Sequence, residues 1–455
     1  MQACHIATRF LAILRIEGSP NAENLFQTFD QFVETEHLPK EKLVSFSSDG
    51  ASVMRSEGRG VSGHLRRNYN QDIFLQHCIV HRQVLGAKSG LERLPSNVHS
   101  TVDAVMNHFK NSHVRKEKLT AIIEMSDNEH EYQQLVAYHR VRWLSLNDCV
   151  QRFTDLLPEI VSYFELQAHT TSIRLSERAK LQELYDGLVD PAFQLYLYFL
   201  RGRLPILASI NTQLQKKDQD LFTSYQKIDG FKKTFLEPIL HEVDDGMQEG
   251  NVRTESDVDN IDYDCKEFIK FKEQAISSGQ LSFGQLHEVM NNIFNFTAAI
   301  GRSLDARFPE LDFVIKNLSF LCPANRKHSR CDIEAVVRRY CKNSVAAAVA
   351  NRQYSVYRND DSVDYVYLHC EKQPDTFFCR LAQMPEYDQF GLLAITLMCM
   401  SPDTVECERG FSCMNLTKDK CATRLSGDNL QSRLAVFLDP RTLSSFPFED
   451  IVDSV

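Results

Sequence analysis

The hydrophobic positions change period along the chain, and that change divides it. In the first 90 residues, short apolar runs surround one amphipathic segment. The runs His5–Ile16, Leu43–Ser48 and Ile73–Ile79 are rich in large and β-branched residues and predict strands. Between the first two, Leu25, Phe26, Phe29, Phe32 and Val33 form one stripe, which predicts a helix over Ala22–Glu36. From Val98 to Gln383 the spacing is helical, as in Leu207, Ile210 and Leu214 or Leu286, Met290, Ile293 and Ile300. Pro191, Pro205, Pro238, Pro309 and Pro323 mark candidate helix breaks. After Gln383, the apolar stretch Phe390–Met400 leads to Ser401-Pro402, an N-cap and first helical residue for a helix reaching about Asn415. A last helix over Asp428–Asp439 sets Leu430, Leu434, Phe437 and Leu438 on one face. The pattern reads as α+β in three parts: a mixed α/β part over 1–150, an all-helical part over 151–384 and a C-terminal part over 385–455.

Composition sharpens this picture. With 455 residues, 43% of them hydrophobic, the chain can bury a sizeable core. Its net charge of −10 argues against a stand-alone nucleic-acid binder, because phosphate contacts need clustered cations. The charge is unevenly spread. Between Glu242 and Glu267 lie ten acids against Arg253 and Lys266 only, a net of −8 that reads as a solvated acidic loop, and the rest of the chain is close to neutral. The longest apolar run, Gly391–Met400, is about half the ~20 residues of a membrane-spanning helix. Arg9 and Arg15 interrupt the apolar N-terminus, which favours a strand over a secretory signal. The thirteen cysteines include no C-x-x-C pair and fit reduced, mostly buried thiols. Cys322, His328 and Cys331 lack a close fourth ligand for zinc.

Four features could carry chemistry, each with a structural alternative. Asp49 ends the strand Leu43–Ser48 and precedes Gly50. A carboxylate at a strand's carboxyl end suits Mg²⁺, and equally a turn. Cys78 and His81 form a C-x-x-H that is either a half metal site or a buried thiol and a locally bonded imidazole. Trp143, the only tryptophan, follows Arg142 and reads as core or as a stacking platform. Glu408 falls in the first turns of the helix after Ser401, where it complements the helix dipole. The basic clusters Arg66-Arg67, His113–Lys118 and Arg326–Arg330 read as solvated faces.

The order of these blocks is more specific than any one of them. SSDGASVM (47–54), CIVH (78–81), VRWLS (141–145), a long helical insertion containing INTQLQ (210–215), SPDTVECERGFSCMN (401–415) and SRLAVFL (432–438) follow one another. That succession resembles the hAT superfamily of DNA transposases, in particular their domesticated vertebrate derivatives. The resemblance implies an RNase H-like α/β core interrupted by an all-α insertion, with a C-terminal dimerisation region. It implies that Asp49 and Glu408 stand at the second and third metal-binding acids. It also implies that Cys78, His81, Arg142 and Trp143 are family motif residues, and that Phe411, Leu430, Leu434 and Phe437 serve dimerisation. The first acid has no counterpart: upstream of Asp49 the only other Asp is Asp30, inside the amphipathic helix. Nor does the family's N-terminal zinc finger. Since two-metal strand transfer needs both ions clamped, the expectation is an incomplete core and no catalysis, with a vestigial Mg²⁺ site and no metal or other cofactor. The expected protein acts in the nucleus as a homodimer or with related hAT-derived proteins, bound to no membrane and weakly or not at all to DNA. The alternatives are a nucleic-acid-binding transcriptional regulator, or an active metal-dependent nuclease if an upstream segment supplies the missing strand.

Overall fold

Asn21 starts the first helix. Its Oδ1 accepts the Asn24 amide at 2.9 Å, and α1 runs over Ala22–Thr35 with Phe26 and Val33 buried. The computed structural model describes residue 6 and residues 8–56, 58–126, 143–171, 173–217, 219–236, 265–341, 345–418 and 428–438. Strand β1 (Ser45–Ser48) leads through the turn Ser52–Arg55 into α2 (Val61–Asn68), and β2 (Phe74–His77) follows. The two strands pair in parallel, Ser45 opposite Phe74 through Ser48 opposite His77. A parallel pair needs a crossover, and α2 provides it. Phe26, Val61, Leu65 and Ile73 form the small core between helices and strands.

The remainder is helical. In chain order come α3 (Ile79–Leu91), α4 (Ser96–Lys110), α5 (His113–Met125), α6 (Trp143–Asp155), α7 (Leu157–His169), α8 (Leu175–Val189), α9 (Pro191–Leu214) and α10 (Leu221–Phe231). Then follow α11 (Lys266–Ser277), α12 (Phe283–Arg307), α13 (Leu311–Asn317), α14 (Ala347–Asn359), α15 (Ser362–His369), α16 (Pro374–Leu381), α17 (Asp388–Met398), α18 (Val405–Thr417) and α19 (Asp428–Leu438). The protein is therefore mostly helical, with a two-stranded sheet among the described residues.

The chain divides into two compact units. One comprises residues 1–82, 214–226 and 310–455; the other comprises residues 83–213 and 227–309. The first holds the sheet and helices α13 to α19. Its helical part packs Phe320, Tyr354, Tyr357, Phe377, Phe378 and Phe390 together, with ring centroids as close as 4.7 Å for Tyr357 and Phe390. The second unit is all helical. Its core gathers Val105, Phe109, Phe153, Ile160, Phe164 and Leu188 from α4, α6, α7 and α8. Helix α12 is its long buried element, started by a reciprocal capping box between Ser282 and Gln285. Helix α3 approaches α12 through glycines. A Cβ on Gly86 would lie 2.7 Å from Leu304 Cδ2, and one on Gly90 would lie 2.7 Å from Ile300 Cγ1.

Several expectations change. Residues 8–16 carry no strand, and the segment's described polar tie is the Ile6 amide, which donates to Asp375 Oδ2 at 3.2 Å. Apolar composition alone does not make a strand without an edge to pair with. Pro205 lies inside α9 instead of breaking it. Leu200, Leu204, Leu207 and Ile210 are buried around it, and that packing outweighs the ~3 kcal/mol an interior proline costs. Ser401 does not cap α18. Its Oγ donates to the Asp403 carbonyl at 2.8 Å, Asp403 Oδ1 accepts the Val405 amide at 2.9 Å, and the helix begins at Val405. Arg326 is not on a solvated face: it is buried and donates to the carbonyls of Tyr357 and Arg358 and to Asp364. Pro238 and most of the acidic stretch, residues 242–264, fall outside the described residues, and Glu267 sits in the first turn of α11.

Candidate functional site

The carboxyl end of the sheet gathers three of the sequence blocks. Beyond β1, Asp49 is exposed and its Oδ1 accepts the Ala51 amide at 3.1 Å, closing a tight turn. Gly50 comes next, and a Cβ there would lie 2.9 Å from His77 Nε2 and 3.6 Å from His81 Cδ2. Glycine thus lets the β1 end lie against the two imidazoles, whose centroids are 5.7 Å apart. Beyond β2, the Cys78 amide donates to the Ser48 carbonyl at 2.9 Å and extends the ladder by one bond. The Ile79 amide then donates to the Pro402 carbonyl at 3.0 Å. That bond joins C-x-x-H to the segment before α18, 323 positions later.

Burial sets the electrostatics of this end. Cys78 is fully buried, and desolvation pushes its thiol pKa up, although hydrogen bonds with Thr404 pull it down. Burial likewise raises the Asp403 carboxyl above its ordinary range. Glu408, in the first turn of α18, is exposed. Arg409 reaches from the same turn to Glu406 and to the carbonyl of Gln215.

Among the described residues, no three His, Cys, Asp or Glu side chains come together in a way that could hold a metal ion. That statement includes Cys322, His328 and Cys331. Cys331 Sγ instead lies 2.8 Å from Ser329 Oγ and 3.4 Å from Ser319 Oγ. Arg142 is outside the described residues. Trp143 opens α6 in the helical unit, and its side chain is likewise outside them.

Sequence reasoning missed a buried charged group beside this site. Arg82, directly after His81, is 5% exposed. It donates to Glu310 Oε1 at 2.8 Å and to the Tyr225 hydroxyl at 3.1 Å, and Tyr225 in turn donates to Glu310. Burial alone would raise the Glu310 pKa. The charge of Arg82 and the bonds from Tyr225 and Arg82 outweigh it and hold the carboxyl below its usual range. Burial drives the Tyr225 phenol far up. The only local signal was an arginine beside a C-x-x-H; Tyr225 and Glu310 carried none.

The C-terminal helices form a second candidate surface. Helices α18 and α19 pack on one another. Leu430 and Leu434 are buried within the chain, at 7% and 0% exposure, while Phe411 and Phe437 stand 53% and 65% exposed. Leu416 and Val436 are exposed beside them in sequence. Thr417, Ser432, Arg433, Val436 and Phe437 line an apolar depression of about 460 Å³. The four residues expected to serve dimerisation thus divide into an inner pair that holds the hairpin and an outer pair in solvent.

No helix among the described residues is long and apolar enough to cross a membrane. Residues 77–237, from the end of β2 through α10 and containing the Arg82 and Tyr225 members of the buried triad, match the model of the FAM200/GTF2IRD2 helical domain, a domesticated transposase-related family.

Proposed function

We propose that this chain is a transposase-derived protein of hAT type that acts through protein contacts, as a homodimer or with related chains, and does not cut or join DNA. The observation that carries the reading is the exposure of large apolar side chains on α18 and α19. Four large apolar side chains, Phe411, Leu416, Val436 and Phe437, lie in solvent on two adjacent helices, a concentration that marks interaction surfaces on soluble proteins. The expected dimer contact is made by these exposed side chains, with Leu430 and Leu434 acting indirectly by bracing the two helices. The parallel strands with Asp49 at their carboxyl end support an RNase H-like ancestry. Loss of catalysis is supported by the neighbours of that aspartate: imidazoles and a buried thiol surround the sheet end, and the Asp49 carboxylate is engaged in its own turn. In sedimentation velocity at micromolar concentration, the chain should run as a dimer and Phe411→Ser/Phe437→Ser as a monomer. A monomeric parent chain refutes the dimer. Mg²⁺- or Mn²⁺-dependent plasmid nicking lost in both Asp49→Asn and Glu408→Ala refutes the loss of catalysis.

A further inference from the structure

The chain contains four Asp-Gly pairs: Asp49-Gly50, Asp186-Gly187, Asp229-Gly230 and Asp245-Gly246. In this dipeptide the glycine, having no Cβ, leaves its own amide nitrogen unshielded, so that the nitrogen can attack the aspartate side chain. Asp245-Gly246 lies outside the described residues. The other three sit in two different settings. Gly187 belongs to α8 and Gly230 to α10, where helical geometry commits each amide to the carbonyl four residues back. The carboxylates of these two pairs are engaged along their helices. Asp186 Oδ1 accepts from Gln182 Nε2 at 2.8 Å, and Asp229 Oδ2 accepts from Lys233 Nζ at 2.7 Å.

Asp49-Gly50 differs on each count. It lies between β1 and the turn Ser52–Arg55, and both residues are exposed. Among the described residues, the Gly50 amide has no hydrogen-bond acceptor. The Asp49 side chain is turned forward along the chain, with Oδ1 accepting the Ala51 amide at 3.1 Å. Its carboxyl group therefore lies alongside the Gly50 peptide. Packing favours glycine at position 50, since a Cβ would lie 2.9 Å from His77 Nε2 and 3.1 Å from His77 Cε1. The imidazole thus keeps the reactive pair in place.

We propose that Asp49-Gly50 is a site of spontaneous isomerisation to L-isoaspartate, and so a substrate for an isoaspartyl-directed protein carboxyl methyltransferase. The Gly50 nitrogen attacks Cγ of the neutral Asp49 carboxyl. A C–N bond forms, the carboxyl hydroxyl leaves as water with the amide proton, and a five-membered succinimide closes. Water then opens the ring. Attack at Cγ restores aspartate. Attack at the main-chain carbonyl carbon of Asp49 breaks its bond to the Gly50 nitrogen and leaves the chain running through Cβ and Cγ. One water is lost and one gained, with no change of oxidation state. The carbonyl oxygen that accepts from Ser48 Oγ at 3.2 Å becomes part of the new carboxylate, and the carboxyl that closed the turn on Ala51 becomes backbone. This inference is independent of the protein-contact reading, because it uses none of the α18–α19 residues.

The test is incubation of the full chain at physiological temperature, with the free peptide SSDGASVM (47–54) as the clock. Peptide mapping by mass spectrometry, with fragmentation that separates aspartate from isoaspartate, reads each position. Isoaspartate should accumulate at residue 49 within about tenfold of its rate in the free peptide, and at residues 186 and 229 at least about tenfold more slowly than at 49, because a helical amide reacts only after local opening. The methyltransferase with a labelled methyl donor should modify the aged chain at residue 49 and leave fresh chain unmodified there. Asp49→Glu keeps the charge but needs a six-membered ring, and should abolish both signals at this position. Absence of isoaspartate at residue 49 when half of the free peptide has isomerised overturns the proposal. So does equal conversion at 49, 186 and 229, which marks general unfolding.

Discussion

Glu310→Gln is the sharpest probe of how the sheet end is held. The substitution keeps the shape of the side chain and removes its charge, which leaves the Arg82 guanidinium, 5% exposed, beside a neutral amide. Removing one partner of a buried pair costs about 3–5 kcal/mol. The Glu310 side chain keeps 16% of its exposure, so solvent screening puts the expected loss near the lower end, about 3 kcal/mol. At ~1.4 kcal/mol per factor of ten, protection falls by about two decades. Hydrogen exchange read by mass spectrometry localises the effect. Peptides covering the β2 amides and Cys78 should lose protection, while peptides from Phe193–Leu200 in the helical unit should not. Removing both charges, as Arg82→Met/Glu310→Gln, should recover much of the loss, because the uncompensated cation is then gone. The pair also predicts a pH dependence. The folded Glu310 pKa lies below its ordinary 4.5, so its contribution is present above the unfolded value and is lost as pH falls through the folded one. The parent's acid transition should accordingly be steeper than that of Glu310→Gln. The reasoning fails if Glu310→Gln is within ~0.5 kcal/mol of the parent, a change typical of an unimportant surface position.

Gly391→Ala should be severely destabilising, since its Cβ would lie 2.4 Å from the Ala382 backbone nitrogen; a thermal melt unchanged to within a degree contradicts the packing of α16 against α17. Leu434→Ala should cost about 2–5 kcal/mol in a urea titration, whereas Phe437→Ser should leave stability within ~0.5 kcal/mol, and equal costs would refute the inner and outer assignment. In native protein at pH 8, iodoacetamide should label exposed Cys399 well before Cys149 and Cys341. Burial lifts both of those thiols to about 12; early labelling at either position would contradict their burial.

The legible parts of the fold were those whose signal is local. Helix α1, the strands β1 and β2, and α19 lie within two residues of their expected bounds, because period and punctuation are properties of ten adjacent residues. Pro205 and the 8–16 segment misled for the opposite reason. A proline's cost is set by what packs around it, and a strand by whether an edge is available. Within the site, Asp49 and Cys78 were placed at strand ends correctly. The bond from Ile79 to Pro402 was suggested only by the order of motifs, never by spacing. Arg82, Tyr225 and Glu310 were invisible, since 143 and 228 positions separate the partners and nothing in composition records such a distance. Asp403 was hidden beside the more conspicuous Ser401-Pro402.

The bond from the Ile79 amide to the Pro402 carbonyl carries a consequence for synthesis. A ribosome adding ~5–20 residues per second needs roughly 16–65 s to travel between those two positions. Throughout that interval the nascent sheet end has a donor and no acceptor, and the chain that emerges meanwhile is the helical unit. That unit is made of two stretches lying wholly inside the gap, so its residues are all available before the seal on the sheet can form. Chaperones that recognise unpaired strand termini would find their longest opportunity here, and a ribosome stall between residues 310 and 400 would prolong it.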